Sequence, residues 1–188
     1  MRRAAAALVL ALATAFACRT GPPATGLQFG GDFSLTDQNN QTFHLHDVRG
    51  RPAVLFFGYT SCPDMCPATM SRIAGALSRA GGSGGTVATL FVSVDPQRDT
   101  PAVLNAYVHS FSAPITALTG TAEAVQHVAA AYHAVYQIVP TGTTNYLVNH
   151  TSAMFLIDRR GRLREIVKFD VSPEALASAL RTLLDEKS

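Results

Sequence analysis

Charge is scarce in this sequence and almost evenly split. Only 15% of the 188 residues are charged, with 15 Lys and Arg against 13 Asp and Glu and a formal charge of +2. Two of the basic residues, Arg2 and Arg3, stand at the N-terminus, and the other 13 balance the 13 acids. No basic field remains for a phosphate backbone, so nucleic-acid binding is excluded first. Nor does any apolar run reach the ~20 residues that a membrane-spanning helix needs. Cysteine is also rare, three in all, so no disulfide scaffold staples the fold. None is needed, because this length buries a sufficient core as roughly one domain. A 47% hydrophobic share excludes intrinsic disorder.

The longest apolar stretch follows Arg2 and Arg3 directly. It covers residues 4–17, 14 positions interrupted only by Thr14. As a helix it spans about 21 Å, short of the ~30 Å hydrocarbon core of a bilayer. A basic start, a short apolar core and the small residues Ala15 and Ala17 read as an export signal over residues 1–17. Cys18 comes next. The context Ala15-Phe16-Ala17-Cys18 is similar to the lipobox of bacterial lipoproteins, with Ala15 where leucine is usual and Phe16 where a small residue is usual. That resemblance implies a lipidated Cys18 and a domain held at the membrane of a bacterial cell envelope, outside the cytoplasmic membrane. Plain cleavage after Ala17 is the alternative. Residues 18–29 then act as a lipid-anchored, Pro/Gly-rich tether, and 30–188 form the folded domain. With Cys18 as anchor, the remaining cysteines are one pair, Cys62 and Cys66.

Periodicity predicts an N-terminal hairpin, with residues 32–36 and 42–45 alternating around Asp37-Gln38-Asn39-Asn40-Gln41. Residues 53–59 form a continuous apolar run of buried-strand length, and Met70, Ile73 and Leu77 follow at helical spacing. A glycine-rich break covers 81–85, and 87–94 is a second buried strand. Thr100-Pro101 caps a helix to about residue 111. A short strand at 115–118, a helix over 121–134, and strands at 153–158 and 163–168 follow. Ser172-Pro173 opens a last helix with Leu176, Leu180 and Leu183 on one face. Strands alternating with helices, then a closing hairpin and helix, predict an α/β fold: a thioredoxin-like mixed sheet flanked by helices, with an N-terminal β-hairpin extension.

Chemistry begins where the first buried strand ends, at Gly58-Tyr59-Thr60-Ser61-Cys62-Pro63-Asp64-Met65-Cys66-Pro67. Two cysteines four apart straddle the start of a helix, with Pro67 suited to its first turn. Spare amide donors and the positive end of the helix dipole favour a thiolate there and lower its pKa. This separation lets both sulfurs face one side, either as a disulfide or as joint ligands of one metal. Soft thiolates prefer Cu(I), zinc or iron–sulfur centres. An inert exported disulfide is the alternative at this point.

Further polar residues gather at the same carboxyl edge of the sheet, where open α/β sheets place their ligands. Residues 93–101 end the second buried strand and carry Asp95 and Asp99. These carboxylates either shape the site or dock a partner, or else they cap a helix and stay solvated. His150, in the loop Val148-Asn149-His150-Thr151-Ser152, precedes a buried strand and, in a thioredoxin-like sheet, faces the cysteines.

Together these segments closely resemble the Sco/SenC family of exported, copper-binding, thioredoxin-like proteins. The carriers are residues 60–67, residues 93–101 with Asp95 and Asp99, and His150-Thr151 leading into Phe155-Leu156-Ile157-Asp158. The match runs from about Gly30 to Leu184. It implies one copper per chain, Cu(I) or Cu(II), held by Cys62, Cys66 and His150. The same cysteines would form a redox pair, bridged when oxidised. The implied task is assembly of the copper-A centre of cytochrome c oxidase subunit II, or of another exported cuproprotein, in concert with a thiol reductant. Asn149 departs from the family, which usually has Asp there, and the usual transmembrane anchor is replaced by the shorter leader.

The donor chemistry agrees, since two thiolates and one imidazole make a soft three-ligand site. A structural zinc site would normally have four protein ligands. Among the other histidines, His44 and His46 lie two apart on one predicted strand face and read as solvated surface residues able to bind metal only weakly. Two other functions stay open: a thiol–disulfide oxidoreductase that reduces a client's cysteines, and a redox or copper sensor. A plain thioredoxin would use C-x-x-C with a proline before the later strand, and a peroxiredoxin would have threonine where Tyr59 stands.

Overall fold

The computed structural model describes residues 29–81 and 86–186. The expected export signal, Cys18, nearly all of the tether and most of the 81–85 break lie outside these residues. Among the described residues no helix is long and apolar enough to cross a membrane.

A seven-stranded mixed sheet organises the domain. Its strands are β1 (Ser34–Asp37), β2 (Thr42–His44), β3 (Ala53–Gly58), β4 (Ala88–Ser93), β5 (Thr116–Thr119), β8 (Ala153–Ile157) and β9 (Leu163–Lys168), in the order β2-β1-β5-β4-β3-β8-β9. β3, β4 and β5 run parallel, with Ala53 opposite Ala88 and Leu90 opposite Thr116. β1 and β8 flank that parallel core in antiparallel sense. β6 (Tyr136–Pro140) and β7 (Tyr146–His150) make a separate two-stranded ribbon. The helices are α1 (Met65–Arg79), α2 (Pro101–Val108), α3 (Ala122–Ala131) and α4 (Pro173–Asp185). The thioredoxin-like α/β architecture is therefore present, hairpin extension included.

The apolar run of β3 is continuous because both faces are covered. Leu55 and Phe57 point to a cluster that includes Val125, Val128 and Tyr132 at α3 and Phe33 and Leu35 at the hairpin. Val54 and Phe56 point to the other cluster, filled by Met70 and Ile73 of α1, Leu104 of α2 and Leu176 and Leu180 of α4. All six residues of β3 and all six of β4 are buried, as strands in the middle of a covered sheet must be.

Local signals act as their chemistry dictates. The side chains of Thr100, Thr121 and Ser172 each accept a hydrogen bond from the first turn of their helix. Asp37 accepts from the backbone N–H groups of Asn39 and Gln41, fixing the β1–β2 turn, where Asn40 takes a φ of 59°. Two helices stop earlier than periodicity predicts. α3 ends at Ala131 because His133 takes a left-handed φ of 53° and Ala134 N–H closes onto the Ala129 carbonyl at 2.8 Å. α2 ends at Val108, and Ser110 and Phe111 turn back onto the Tyr107 and Val108 carbonyls.

The ribbon corrects the sequence reading. His150 is not a loop residue before β8; it is the last residue of β7. Its antiparallel partner is Tyr136, and the ribbon turns at Thr141 and Asn145, where Thr141 N–H meets the Asn145 carbonyl at 2.9 Å. The signal was available, since Tyr136–Pro140 and Tyr146–His150 are short runs with β-branched and aromatic residues around a glycine-containing turn.

Candidate metal centre

Three elements converge at the carboxyl end of β3. Cys62 lies in the connection from β3, Cys66 is the second residue of α1, and His150 closes β7. One ligand atom from each lies within 4.8 Å of the other two. Both cysteines are free thiols; Cys66 is fully buried and Cys62 is half-buried. The three residues sought from sequence are thus brought together. Tyr59, Asp64, Leu147 and Ser152 help to line a cleft of about 330 Å³ that opens onto Cys62 and His150.

The chain wraps the thiols with its own amides. Cys66 N–H, one of the unpaired donors of the first helical turn, points at Cys62 Sγ at 3.4 Å. Cys66 sulfur in turn accepts from the Tyr59 backbone N–H. Gly58 makes the close approach feasible, because a Cβ there would stand 2.8 Å from Cys66 Sγ and 2.7 Å from Phe91. The expected lowering of thiol pKa by the helix start does not hold at Cys66. Burial pushes that thiol well above its ordinary value, with the adjacent Cys62 acting in the same direction.

His150 is prepared to accept. Its Nδ1 faces the Thr151 carbonyl at 3.1 Å, and a carbonyl only accepts, so the ring proton sits on Nδ1. Nε2 therefore presents its lone pair to Cys66 Sγ, 3.5 Å away. Burial holds the imidazole pKa below its ordinary value, partly offset by the Thr151 carbonyl, so the ring is neutral at pH 7. Phe56 and Tyr59 pack edge-on against it at 6.0 and 5.9 Å between ring centroids. A neutral imidazole beside two sulfurs in an aromatic wall is a soft, nearly preformed S₂N donor set.

Asp95 and Asp99 are buried rather than solvated, 3% and 0% exposed. Asp99 accepts from Ser93 Oγ at 2.6 Å and from Thr60 on the connection that leads to Cys62. Asp95 accepts from Arg98 Nε and, at 2.7 Å, from the Tyr146 hydroxyl. Arg98 also donates to the Tyr146 carbonyl at 3.1 Å and lies 3.7 Å from that ring's centroid. Asp99 thus braces the cysteine connection, and Asp95 with Arg98 grips the strand that delivers His150. Arg98, Tyr146 and Tyr59 were not singled out from sequence. Each is an ordinary surface or core residue type. Arg98 pairs with Asp95 three positions back, but the contacts that tie these residues to the site, Arg98 and Asp95 with Tyr146 and Tyr59 with His150, join positions far apart in the chain, so spacing carries no sign of them. Asn149 is exposed beside His150, and the Thr151 carbonyl orients the ring instead.

Comparison with known proteins gives a consistent picture. A family model described as SCO1/SenC matches residues 22–185. Protein SenC of Rhodobacter capsulatus is 35% identical over 169 residues, spanning 90% of this chain and 76% of that protein. The structure of Bradyrhizobium japonicum ScoI with copper bound aligns with a TM-score of 0.76 at 36% identity, covering 82% of this chain and 99% of that one. A more distant structure shares the fold, with a TM-score of 0.67 at 18% identity over 86% of this chain and 96% of its own. It is BsSco, reported to contain a disulfide switch and to belong to the Sco family of cytochrome c oxidase assembly proteins.

Proposed function

The chain belongs to the SCO1/SenC family, and from that premise we propose that it is an exported metallochaperone for the copper-A centre of cytochrome c oxidase subunit II. Copper is its cargo, one ion per chain, held by Cys62, Cys66 and His150. The observation that carries this reading is the grouping of two free thiols and an Nε2 lone pair within 4.8 Å. A copper-bound relative with 36% identity supports the choice of metal. Lipidation at Cys18 would hold the domain at the outer side of the bacterial cytoplasmic membrane, facing an exported client.

A second reading rests on the unequal exposure of the two thiols. Half-buried Cys62 can attack a client disulfide as a thiolate, forming a mixed disulfide and releasing one client thiolate. Cys66, buried behind it, then attacks Cys62 Sγ, freeing the second client thiolate and leaving a Cys62–Cys66 disulfide. An external thiol reductant restores the pair.

One experiment separates the two. Copper-loaded full chain is mixed with the copper-binding domain of an oxidase subunit II whose cysteines have been reduced beforehand, and the copper-A absorption is followed. Its appearance with one-for-one loss of copper from the donor supports the chaperone. No transfer, together with new client thiols when the client starts oxidised, supports the reductase and overturns the first reading.

A further inference from the structure

His44 and His46 do not share a strand face. His44 closes β2, His46 lies in the 3-10 turn Leu45–Val48 that follows, and their rings stack 8° from parallel. Lone pairs in two parallel ring planes do not converge on one ion. Among the described residues the grouped metal donors are Cys62, Cys66 and His150, and one neighbouring residue touches all three.

That residue is Tyr59, which directly follows β3 and is buried. Its carbonyl accepts from Cys62 N–H at 3.2 Å, and its own N–H donates to the Cys66 sulfur. Its ring stands edge-on to the His150 imidazole, 5.9 Å between centroids. The hydroxyl acts on the strand that carries His150. β7 pairs with β6 alone, and the ribbon is hydrogen-bonded at Thr141 and Asn145 at one end and at Thr151 and Val135 at the other. Antiparallel bonding alternates, so Tyr146, Val148 and His150 turn their backbone N–H and C=O groups away from β6. Side chains take the place of a neighbouring strand along that edge. Arg98 donates to the Tyr146 carbonyl at 3.1 Å, Ser152 Oγ donates to the His150 carbonyl at 3.4 Å, and the Tyr59 hydroxyl accepts from Val148 N–H. Val148 is 3% exposed, so its N–H has little water to turn to and is costly to leave unpaired.

We infer that Tyr59 is a positioning residue for the metal centre, its hydroxyl fixing the strand that carries His150 against the connection that carries the cysteines. This role rests on the reading of Cys62, Cys66 and His150 as the copper site. Cu(I) accepts two thiolates alone, whereas Cu(II) draws on the imidazole as well. Loosening His150 therefore weakens Cu(II) and spares Cu(I), and the hydroxyl biases the site toward Cu(II).

Tyr59→Phe removes the hydroxyl and keeps the ring and the backbone bonds to both cysteines. In the copper-free, reduced chain the Val148 amide should exchange its hydrogen at least about fivefold faster than in the parent. The Phe56 amide, within β3, should keep its rate. With copper, Cu(II) affinity should fall about tenfold while Cu(I) affinity stays within about twofold. The reduction potential of the bound ion then rises by about 59 mV, the equivalent of tenfold for one electron. Unchanged Val148 exchange overturns the hydroxyl tie, and an unchanged potential overturns its effect on copper. Faster exchange at both amides with equal loss of both oxidation states is plain destabilisation and overturns the inference too. A parent chain that binds no copper counts against the copper reading instead, and the metal-free exchange rates still decide the tie.

Discussion

Asp99 accepts two hydrogen bonds from Thr60, one from the backbone N–H at 2.9 Å and one from the hydroxyl at 2.6 Å, across 39 positions of sequence. A third, from Ser93 Oγ, reaches the same carboxylate. One fully buried anion thus holds the end of β4 against the residue two before Cys62. Bonds to a charged acceptor in a buried setting are individually strong and costly to leave unmade.

Replacing that anion should therefore destabilise the domain and loosen the cysteine connection. Asp99→Ala strands three donors and should cost about 3–5 kcal/mol in urea unfolding; Asp99→Asn keeps the shape and should cost about 1.5–3 kcal/mol. A loss within about 0.5 kcal/mol of zero for Asp99→Ala, the usual range of surface substitutions, would show that the network carries no stability.

Copper binding should depend unequally on the three donors. Cys62→Ser or Cys66→Ser should abolish tight binding and the thiolate-to-Cu(II) charge-transfer absorbance. His150→Ala should weaken Cu(II) more than Cu(I), because Cu(I) accepts ligation by two thiolates alone. Competition titrations with chelators for each oxidation state measure this. Equal retention of both states in His150→Ala removes His150 from the donor set.

Thiol reactivity should follow burial. In the reduced chain, iodoacetamide should modify half-buried Cys62 well before Cys66, whose burial and raised pKa leave little thiolate. Copper should slow both, and the oxidised chain should take up copper far more weakly until a thiol reductant is added. Peptide mass spectrometry over a time course reads the order. If Cys66 reacts first, its burial does not govern its chemistry; if oxidised and reduced chains bind copper alike, the cysteines are not the site.

Acidity should weaken the apo domain through His150. Its folded pKa lies below the ordinary 6.5 because of burial, so as pH falls below about 6.5 the unfolded chain takes up a proton that the folded chain refuses. Stability is therefore complete above that value and declines beneath it. The stability held by Asp158, whose pKa is lowered despite burial by bonds from Arg162 and Arg160, is lost only below its ordinary 3.8. Denaturation midpoints at pH 7.5 and 5.5 should differ less in His150→Gln than in the parent. An identical difference in both chains rules out the imidazole as the source.

Membrane attachment should require Cys18. Each buried methylene contributes about 0.8 kcal/mol, so several acyl chains give stable anchoring. Cys18→Ala should leave the membrane fraction after cell disruption. If it remains there as the parent does, acylation is not the anchor.

Much of the framework was legible because its signals are local. Thr100-Pro101 and Ser172-Pro173 announce helix starts by capping chemistry, and the apolar runs of β3 and β4 announce strands covered on both faces. The cysteine pair was legible through residue type and spacing, and His150 through its place just before a buried strand together with the family resemblance. The grip of Arg98 on Tyr146 was not, because it joins positions 48 residues apart through groups that carry no motif. The burial of Asp95 and Asp99 was hidden for a similar reason, since a carboxylate's partners decide whether it is solvated. The pKa of Cys66 went the other way from expectation because the helix start acts on any thiol there, whereas desolvation depends on what packs around it.

The separate ribbon bears on the copper hand-over proposed above. Cys62 and Cys66 are fastened at a strand–helix junction in the middle of the main sheet, but His150 rides on β7, whose ladder partner is β6 alone. Leu147 and Ile138 on that ribbon are substantially exposed, 42% and 49%. If the chain hands copper to a client as proposed, a client leaning on the ribbon would move the imidazole, against the hold of Asp95 and Arg98 on Tyr146, while the two sulfurs stay where they are. The ion would then be left on two donors with one flank open, so unloading can proceed by exchange of ligands one at a time, without the domain having to unfold its core.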